Sequence, residues 1–360
     1  MIVRKWLQNG SISTGLLISV IVAAIYLVDN YYTQSNFAFL LIISGITSYF
    51  LTKLFIPLLE SYKLRQIIRK EGPQSHYKKS GTVTMGGFPV IISALLISNI
   101  INFFYIKDTN IYGISLITLG YMLIGVIDDF KSLLTKKNSG LSPKNKIILQ
   151  LILATIFLIW ANTNNLLNPT INLPFNLQLD SGAFIFPIAV FIFIAESNAT
   201  NLTDGLDGLA SGCSSLVFIG LALEQILKGN EIFLGITIFN IIMAGCWLGF
   251  LVHNKNPAKV FMGDTGSLAI GGALTAIALL SNSLWSLLIM GGVFFIESIS
   301  VIIQVSFFKA TKKLKGKGER IFLMTPLHHH YEIKGINENL IVMGFWATTI
   351  GFISITLLFN

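Results

Sequence analysis

Eleven apolar stretches, most of them long enough to cross a lipid bilayer as helices, run through this sequence and leave few folds open to it. They cover 14–28, 37–58, 85–105, 111–127, 146–161, 183–200, 206–227, 232–252, 266–281, 284–309 and 338–358. About 20 apolar residues span ~30 Å of hydrocarbon, and fewer suffice where flanking side chains snorkel. Only 12% of the 360 residues are charged, half the share of about 25% found in soluble domains. No polar linker separates two soluble units. The chain is expected to be an all-α polytopic membrane protein with about 10–11 transmembrane helices and an active site built from loops. Segment 1–36 reads as an extra anchor and 37–360 as the main transmembrane domain. The first stretch follows Arg4 and Lys5 as a signal peptide would, but its apolar core runs into Asp29-Asn30-Tyr31-Tyr32 with no small-residue cleavage site, so it is expected to stay as an anchor. Cys213 and Cys246 both lie in apolar runs and are expected to be inert buried thiols.

Charge sets the orientation. Numbering the connections from the N-terminus, the even ones (1–13, 59–84, 128–145, 201–205, 253–265 and 310–337) hold 22 Lys and Arg, counting Lys146 and Lys309 at the span ends. The odd ones hold only Lys107 and Lys228. Lys and Arg accumulate on the cytoplasmic side of membrane proteins, so the even connections are expected inside and the C-terminus outside. The net charge of +8 is then a one-sided basic surface facing anionic headgroups or an anionic substrate. No soluble basic domain exists to bind nucleic acid. The longest odd connection, 162–182, is Asn-rich with short alternating pieces around Thr170–Leu173 and Asn176–Leu179, and a small outer hairpin is expected there.

The residues that carry chemistry crowd into the even connections. His76-Tyr77-Lys78-Lys79-Ser80-Gly81-Thr82-Val83-Thr84-Met85-Gly86-Gly87 puts lysines and glycines at a helix entrance. Such a segment cradles phosphate through backbone N–H groups, or it is a basic loop with a flexible helix start. Asp128-Asp129 follows a span directly, with Lys131, Lys136, Lys137, Lys144 and Lys146 behind it. Adjacent carboxylates at a membrane surface need a positive partner, either those lysines or Mg²⁺, which takes oxygen ligands from one or two carboxylates plus substrate phosphates. The turn Asn201-Leu202-Thr203-Asp204-Gly205-Leu206-Asp207-Gly208 has two carboxylates three apart and no basic residue. Phe261-Met262-Gly263-Asp264-Thr265-Gly266-Ser267 adds another carboxylate between glycines, and Pro326-Leu327-His328-His329-His330-Tyr331-Glu332 adds three imidazoles. Consecutive histidines cannot all point at one metal, and no Cys cluster accompanies them, so a zinc site is disfavoured. Five aspartates beside lysines on one face are the equipment of metal-assisted phosphoryl transfer.

In this order the four acidic and histidine motifs resemble those of phospho-N-acetylmuramoyl-pentapeptide transferases, a branch of the polyprenyl-phosphate sugar-1-phosphate transferases, over roughly residues 60 to 358. The resemblance implies transfer of phospho-MurNAc-pentapeptide from UDP-MurNAc-pentapeptide to undecaprenyl phosphate, with Mg²⁺, giving lipid I and UMP for peptidoglycan. It implies the bacterial inner membrane, a cytoplasmic site, and a homodimer among the candidate assemblies. By the same resemblance Asp264 leads as Mg²⁺ ligand, and Asp128 and Asp129 serve the lipid phosphate as base or as further ligands. Asn201, Asp204 and Asp207 shape the nucleotide and metal pocket, with Asn254, Phe261 and Gln304 near the uridine. Lys79, Thr84 and Lys146 offset phosphate charge, and His328, His329 and His330 bind the sugar-phosphate part. Direct attack and an aspartyl intermediate both stay open. The chain departs from the family at Val83, where proline is usual, at Ser132, where lysine is frequent, and in adding the 14–28 anchor to the usual ten spans.

Two intramembrane polar residues, Glu297 and Gln304, sit seven apart on one helical face. Ionisable groups at such depth are functional candidates, although a hydrogen-bonded structural role for Glu297 is favoured. A sister transferase using UDP-GlcNAc is the near alternative, against which the His triplet argues. A secondary transporter would place its charges mid-membrane and show repeats. Reporter fusions after Lys137 and Lys317 should read cytoplasmic and one after Asn172 external; a cytoplasmic signal at Asn172 would reverse the arrangement.

Overall fold

A computed structural model of the protein describes residues 9–33, 36–62, 81–135, 140–175, 177–229 and 233–359. Lys79 and the stretch around it, with Lys136 and Lys137, lie outside the described residues. In chain order the helices are α1 (Gly10–Val28), α2 (Phe37–Ser61), α3 (Gly87–Ile101), α4 (Thr109–Thr135), α5 (Pro143–Thr163), α6 (Ile185–Thr203), α7 (Leu209–Leu227), α8 (Leu234–Asn254), α9 (Gly263–Leu280), α10 (Leu284–Met290), α11 (Gly292–Lys315), α12 (Leu327–Ile333) and α13 (Glu338–Phe359). Eleven helical segments among the described residues are long and apolar enough to cross a membrane. The chain is an all-α, multi-pass membrane protein.

Burial sorts these helices into a core and a shell. In α7, α8 and α9 between 89% and 94% of the apolar window is covered by protein, against 22–28% in α1, α2, α5, α6 and α11. The outer helices therefore present apolar side chains to lipid, and the inner three are surrounded by other helices. α8 packs on α2 and α7, and α9 packs on α4 and α6. Cys213 and Cys246 are free and buried, as their surroundings imply. The expected hairpin is present in the 162–182 connection, where β1 (Thr170–Asn172) pairs antiparallel with β2 (Gln178–Asp180) and Ile171 lies opposite Leu179.

Two boundaries differ from the sequence reading, both for local reasons. The run 284–309 is not one helix. It breaks at Gly291, where α10 ends and α11 starts, because paired glycines carry the weakest helix propensity outside proline. α4 continues two turns past the apolar run, so Asp128 and Asp129 lie buried on a helix rather than in a loop. The polar extension is tolerated because these carboxylates find partners on neighbouring elements. α5 starts at Ser142-Pro143, with the Ser142 hydroxyl accepting the Asn145 N–H and Pro143 in the first turn, and this puts Lys146 at the membrane boundary.

The α2–α8 contact depends on small residues. A Cβ added at Gly245 would lie 2.0 Å from the Ser44 Oγ and 2.4 Å from the Leu41 carbonyl oxygen. Overpacking of this kind costs about 1–3 kcal/mol. Gly245→Val should accordingly lower the melting temperature of the detergent-purified protein by several degrees, while Gly15→Val, at a position with open space around it, should leave it unchanged.

Candidate active site

The site is assembled around the first turn of α9. A helix N-terminus leaves backbone N–H groups without intrahelical partners, and here a different helix supplies the acceptor. Asp129 of α4 accepts the N–H groups of Asp264 (3.1 Å) and Thr265 (3.0 Å) and the Thr265 hydroxyl (2.6 Å). Gly263 makes the turn possible: its φ is +73°, and a Cβ there would stand 2.5 Å from the Asp129 Oδ2 and 2.9 Å from the Thr84 Oγ1. Thr84 is thus buried against the same turn. Asp129 caps α9 with both of its oxygens, a part that adjacency to Asp128 in the sequence did not reveal.

With α9 held this way, Asp264 faces two other helices. Its Oδ1 accepts the Asn201 Nδ2–H (2.7 Å) from the end of α6, and its Oδ2 accepts the Lys146 ammonium (2.5 Å) from the start of α5. Lys146 also lies 3.1 Å from the Asp128 Oδ1, which in turn accepts the Leu141 N–H (2.9 Å). One cation therefore bridges Asp128 and Asp264, which belong to helices far apart in sequence. Asn201 donates a second bond to the Ser267 Oγ (2.9 Å), tying α6 to α9.

A divalent metal fits this donor set. Among the described residues no group of three or more His, Cys, Asp or Glu side chains could hold an ion by itself, which excludes a protein-only cage there. Mg²⁺ does not need one, since it is held by one or two carboxylates plus substrate phosphates. Asp264 and Asp128, drawn together by a single ammonium, meet that description. Asp129 is held against α9, its Oδ1 accepting one N–H and its Oδ2 an N–H and a hydroxyl.

The glycines before α3 have a structural task. The N–H of Gly86 donates to the Phe261 carbonyl (2.9 Å) and that of Gly87 to the Met262 carbonyl (2.9 Å), while the Phe261 N–H donates to the Val83 carbonyl (2.8 Å). These two amides are consumed in joining the start of α3 to the loop before α9, so Gly86 and Gly87 do not offer them to a phosphate. Phe261 belongs to that junction.

The Asp204–Asp207 turn is held from three sides. Asp207 Oδ2 accepts the Asn256 Nδ2–H (3.1 Å) and the Ala258 N–H (3.0 Å). Its own N–H donates to Glu338 Oε1 (2.9 Å), and Asn256 donates to Glu338 Oε2 (2.9 Å). Asn254 Oδ1 accepts the Gly208 N–H and the Ser211 hydroxyl, and its Nδ2 donates to the Val260 carbonyl. Asp204 sits where α6 ends, with its N–H donating to the Asn201 carbonyl (3.3 Å). Glu338 and Asn256 escaped the sequence reading. The only available signal was an acidic residue opening the last helix.

The three histidines part ways. His328 is fully buried; its N–H donates to Glu297 (3.2 Å), and its Nδ1 lies 3.1 Å from the Glu297 Oε2. Its Nε2 points at the acidic turn, where a Cβ on Gly205 would meet it at 2.1 Å. Glu297 thus has a hydrogen-bonded role, shared with the triplet. His329 Nδ1 lies 3.2 Å from Glu332. His330 Nδ1 accepts the Leu323 N–H (3.1 Å), so its proton resides on Nε2, and burial, together with the Lys334 cation, holds its pKa below the usual imidazole range. Gln304 Oε1 accepts the N–H groups of Ile321 and Phe322, and its Nε2 donates to the Phe322 carbonyl. It pins the loop that delivers the triplet.

The profile of the family described as glycosyl transferase family 4 matches residues 111–282, the stretch from α4 through α9. The chain is 50% identical to the phospho-N-acetylmuramoyl-pentapeptide-transferase of Synechococcus sp. (strain CC9311) over 352 residues, 98% of this chain and 95% of the relative. It is likewise 50% identical to the enzyme of that name from Prochlorococcus marinus (strain MIT 9313), over 99% of this chain and 95% of the relative. The chain belongs to the phospho-N-acetylmuramoyl-pentapeptide transferase family. The aligned region extends on both sides of the α4–α9 block and takes in the His triplet and Glu338.

In this family member, losing the Asp129 cap should cost about 0.5–2 kcal/mol, as other N-cap removals do. Asp129→Ala is expected to lower the melting temperature and the turnover together, and raising the divalent metal concentration should restore neither. Full recovery at high metal would make Asp129 a ligand instead.

Proposed function

We propose that this protein transfers phospho-MurNAc-pentapeptide from UDP-MurNAc-pentapeptide to undecaprenyl phosphate, forming lipid I and releasing UMP, at the cytoplasmic face of the bacterial inner membrane. The observation that carries the reading is the Lys146 bridge between Asp128 and Asp264, set in a chain whose relatives bear the transferase's name. An oxygen of the lipid phosphate forms the new bond to the sugar-bearing phosphorus, and the bond from that phosphorus to UMP breaks. The residues' task in such a step is positioning and charge neutralisation more than covalent chemistry.

Asp264 and Asp128 would hold Mg²⁺, which when bound neutralises diphosphate charge and orients the leaving group. Lys146 balances the paired carboxylates before substrate arrives and can turn its ammonium to the incoming phosphates; Lys79 and Thr84 serve the same charge. Asn201 keeps Asp264 aimed. Asp204, Asp207 and Asn254 shape the nucleotide side, with Phe261 at its floor and Gln304 acting through the 321–322 loop. His329 and His330 bind the sugar-phosphate part, and the buried His328 positions the triplet through Glu297. The cytoplasmic placement is supported by the Lys and Arg excess and by the gathering of the described site residues at one end of the bundle.

Purified protein with undecaprenyl phosphate, UDP-MurNAc-pentapeptide and Mg²⁺ should release UMP, and UDP-GlcNAc should not replace the nucleotide. Asp264→Asn should lose at least about 100-fold in turnover, corresponding to about 2.7 kcal/mol or more of lost transition-state stabilisation, while eluting as folded protein. His329→Ala should be impaired without any change in the Mg²⁺ concentration giving half-maximal rate. Near-normal turnover of Asp264→Asn at any Mg²⁺ concentration would sink the metal assignment, and full recovery of His329→Ala on adding Zn²⁺ would make the triplet a metal site.

A further inference from the structure

α2 and α8 cross through small residues, a Cβ at Gly249 falling 2.1 Å from the Gly45 carbonyl oxygen, and with α1 alongside they leave the space beside that crossing unfilled. A groove of about 250 Å³ opens there, lined by Ile18, Val22, Leu41, Ile46, Leu248 and Val252. On α8 it runs from Gly245 to Val252, about 10 Å at 1.5 Å per residue, in the half of the helix nearer the active site. One end is polar. Tyr49 closes it and stacks on the His253 ring at 4.6 Å, with the His253 Nε2 3.1 Å from the Tyr49 carbonyl oxygen.

Three cations stand at that end. Lys53 is one helical turn beyond Tyr49 on α2, Lys255 caps the end of α8, and Lys259 follows in the loop. Lys255 follows His253 by two residues, and the Lys259 N–H donates to the His253 carbonyl (2.8 Å). The ion pairs among the described residues join Lys146, Lys228, Lys315, His328 and His329 to carboxylates, and none involves Lys53, Lys255 or Lys259. A positive mouth on an apolar groove at the membrane boundary is the arrangement that recognises an acidic headgroup with its chain.

We propose that this groove is a binding site for an anionic two-chain phospholipid of the surrounding bilayer, one acyl chain lying along α1, α2 and α8 and the headgroup phosphate among Lys53, Lys255 and Lys259. Its length is a fraction of the ~30 Å hydrocarbon layer, which suits an acyl chain from one leaflet rather than a long polyprenyl chain. The site also bears on the active-site turn. Gly10, at the start of α1, lies so close to the Asn256 carbonyl that an added Cβ would stand 2.3 Å from its oxygen. Asn256 is the side chain that joins Asp207 to Glu338. A lipid filling the groove holds α1 in place and, through Gly10, supports the loop that shapes the site.

The test uses the full chain in detergent, with native mass spectrometry and thermal melts, adding phosphatidylglycerol or phosphatidylcholine. Phosphatidylglycerol should be retained and should raise the melting temperature by several degrees, and phosphatidylcholine should do neither. Each lysine near anionic lipid is worth about 1 kcal/mol, so K53Q/K255Q/K259Q should weaken retention by at least about 10-fold. K312Q/K313Q/K317Q, with equal charge loss elsewhere, should bind as the wild type does. Val22→Trp, which fills the groove and leaves the lysines intact, should also lose the lipid. Equal stabilisation by phosphatidylcholine, equal loss in the two triple variants, unaltered binding in Val22→Trp, or one-for-one displacement of phosphatidylglycerol by undecaprenyl phosphate would each overturn the proposal.

Discussion

The arrangement rests on one capped helix end. α9 is almost wholly surrounded by protein, and its first N–H groups would be costly to leave without acceptors in that setting. Asp129 meets the need from α4, and Gly125 on the same helix lets the backbones touch: a Cβ there would stand 2.2 Å from the Asp264 carbonyl oxygen. Once α4 and α9 are locked, Asp264 points towards α5 and α6, and Lys146 and Asn201 reach it. A carboxylate that looks catalytic in the sequence thus builds the place where another carboxylate can work.

Much of the remaining polar inventory serves the same end. Asn254 ties α8 to the start of α7, Gln304 holds the 321–322 loop, and Gly86 and Gly87 splice the loop before α3 to the loop before α9. Each is a polar or flexible residue near the chemistry, and each spends most of its hydrogen bonds on backbone. A site made from the ends of many helices needs such ties, because the apolar packing below fixes the helices but not the direction of the side chains at their tips.

His328 shows how the last third of the chain is joined to the rest. Glu297, deep in α11, holds its backbone and ring, and the ring reaches Gly205 in the acidic turn. The glycine admits an imidazole from another part of the protein. The histidine motif and the acidic turn therefore meet.

The sequence by itself determined the membrane-spanning helical class, the number of spans, the charge asymmetry, the hairpin at 170–180 and the family. These are periodic or compositional properties, set by what hydrocarbon tolerates and written residue by residue along the chain. Asp128, Asp129, Asp204, Asp207 and Asp264 were legible as a group because carboxylates are rare in so apolar a chain. Only the tertiary structure decided which of them caps a helix, which share Lys146, and that Glu338 and Glu297 belong to the same network. Partner choice depends on contacts between residues more than 130 positions apart, as for Asp129 with Asp264 and Thr265, and no local pattern records distances of that kind.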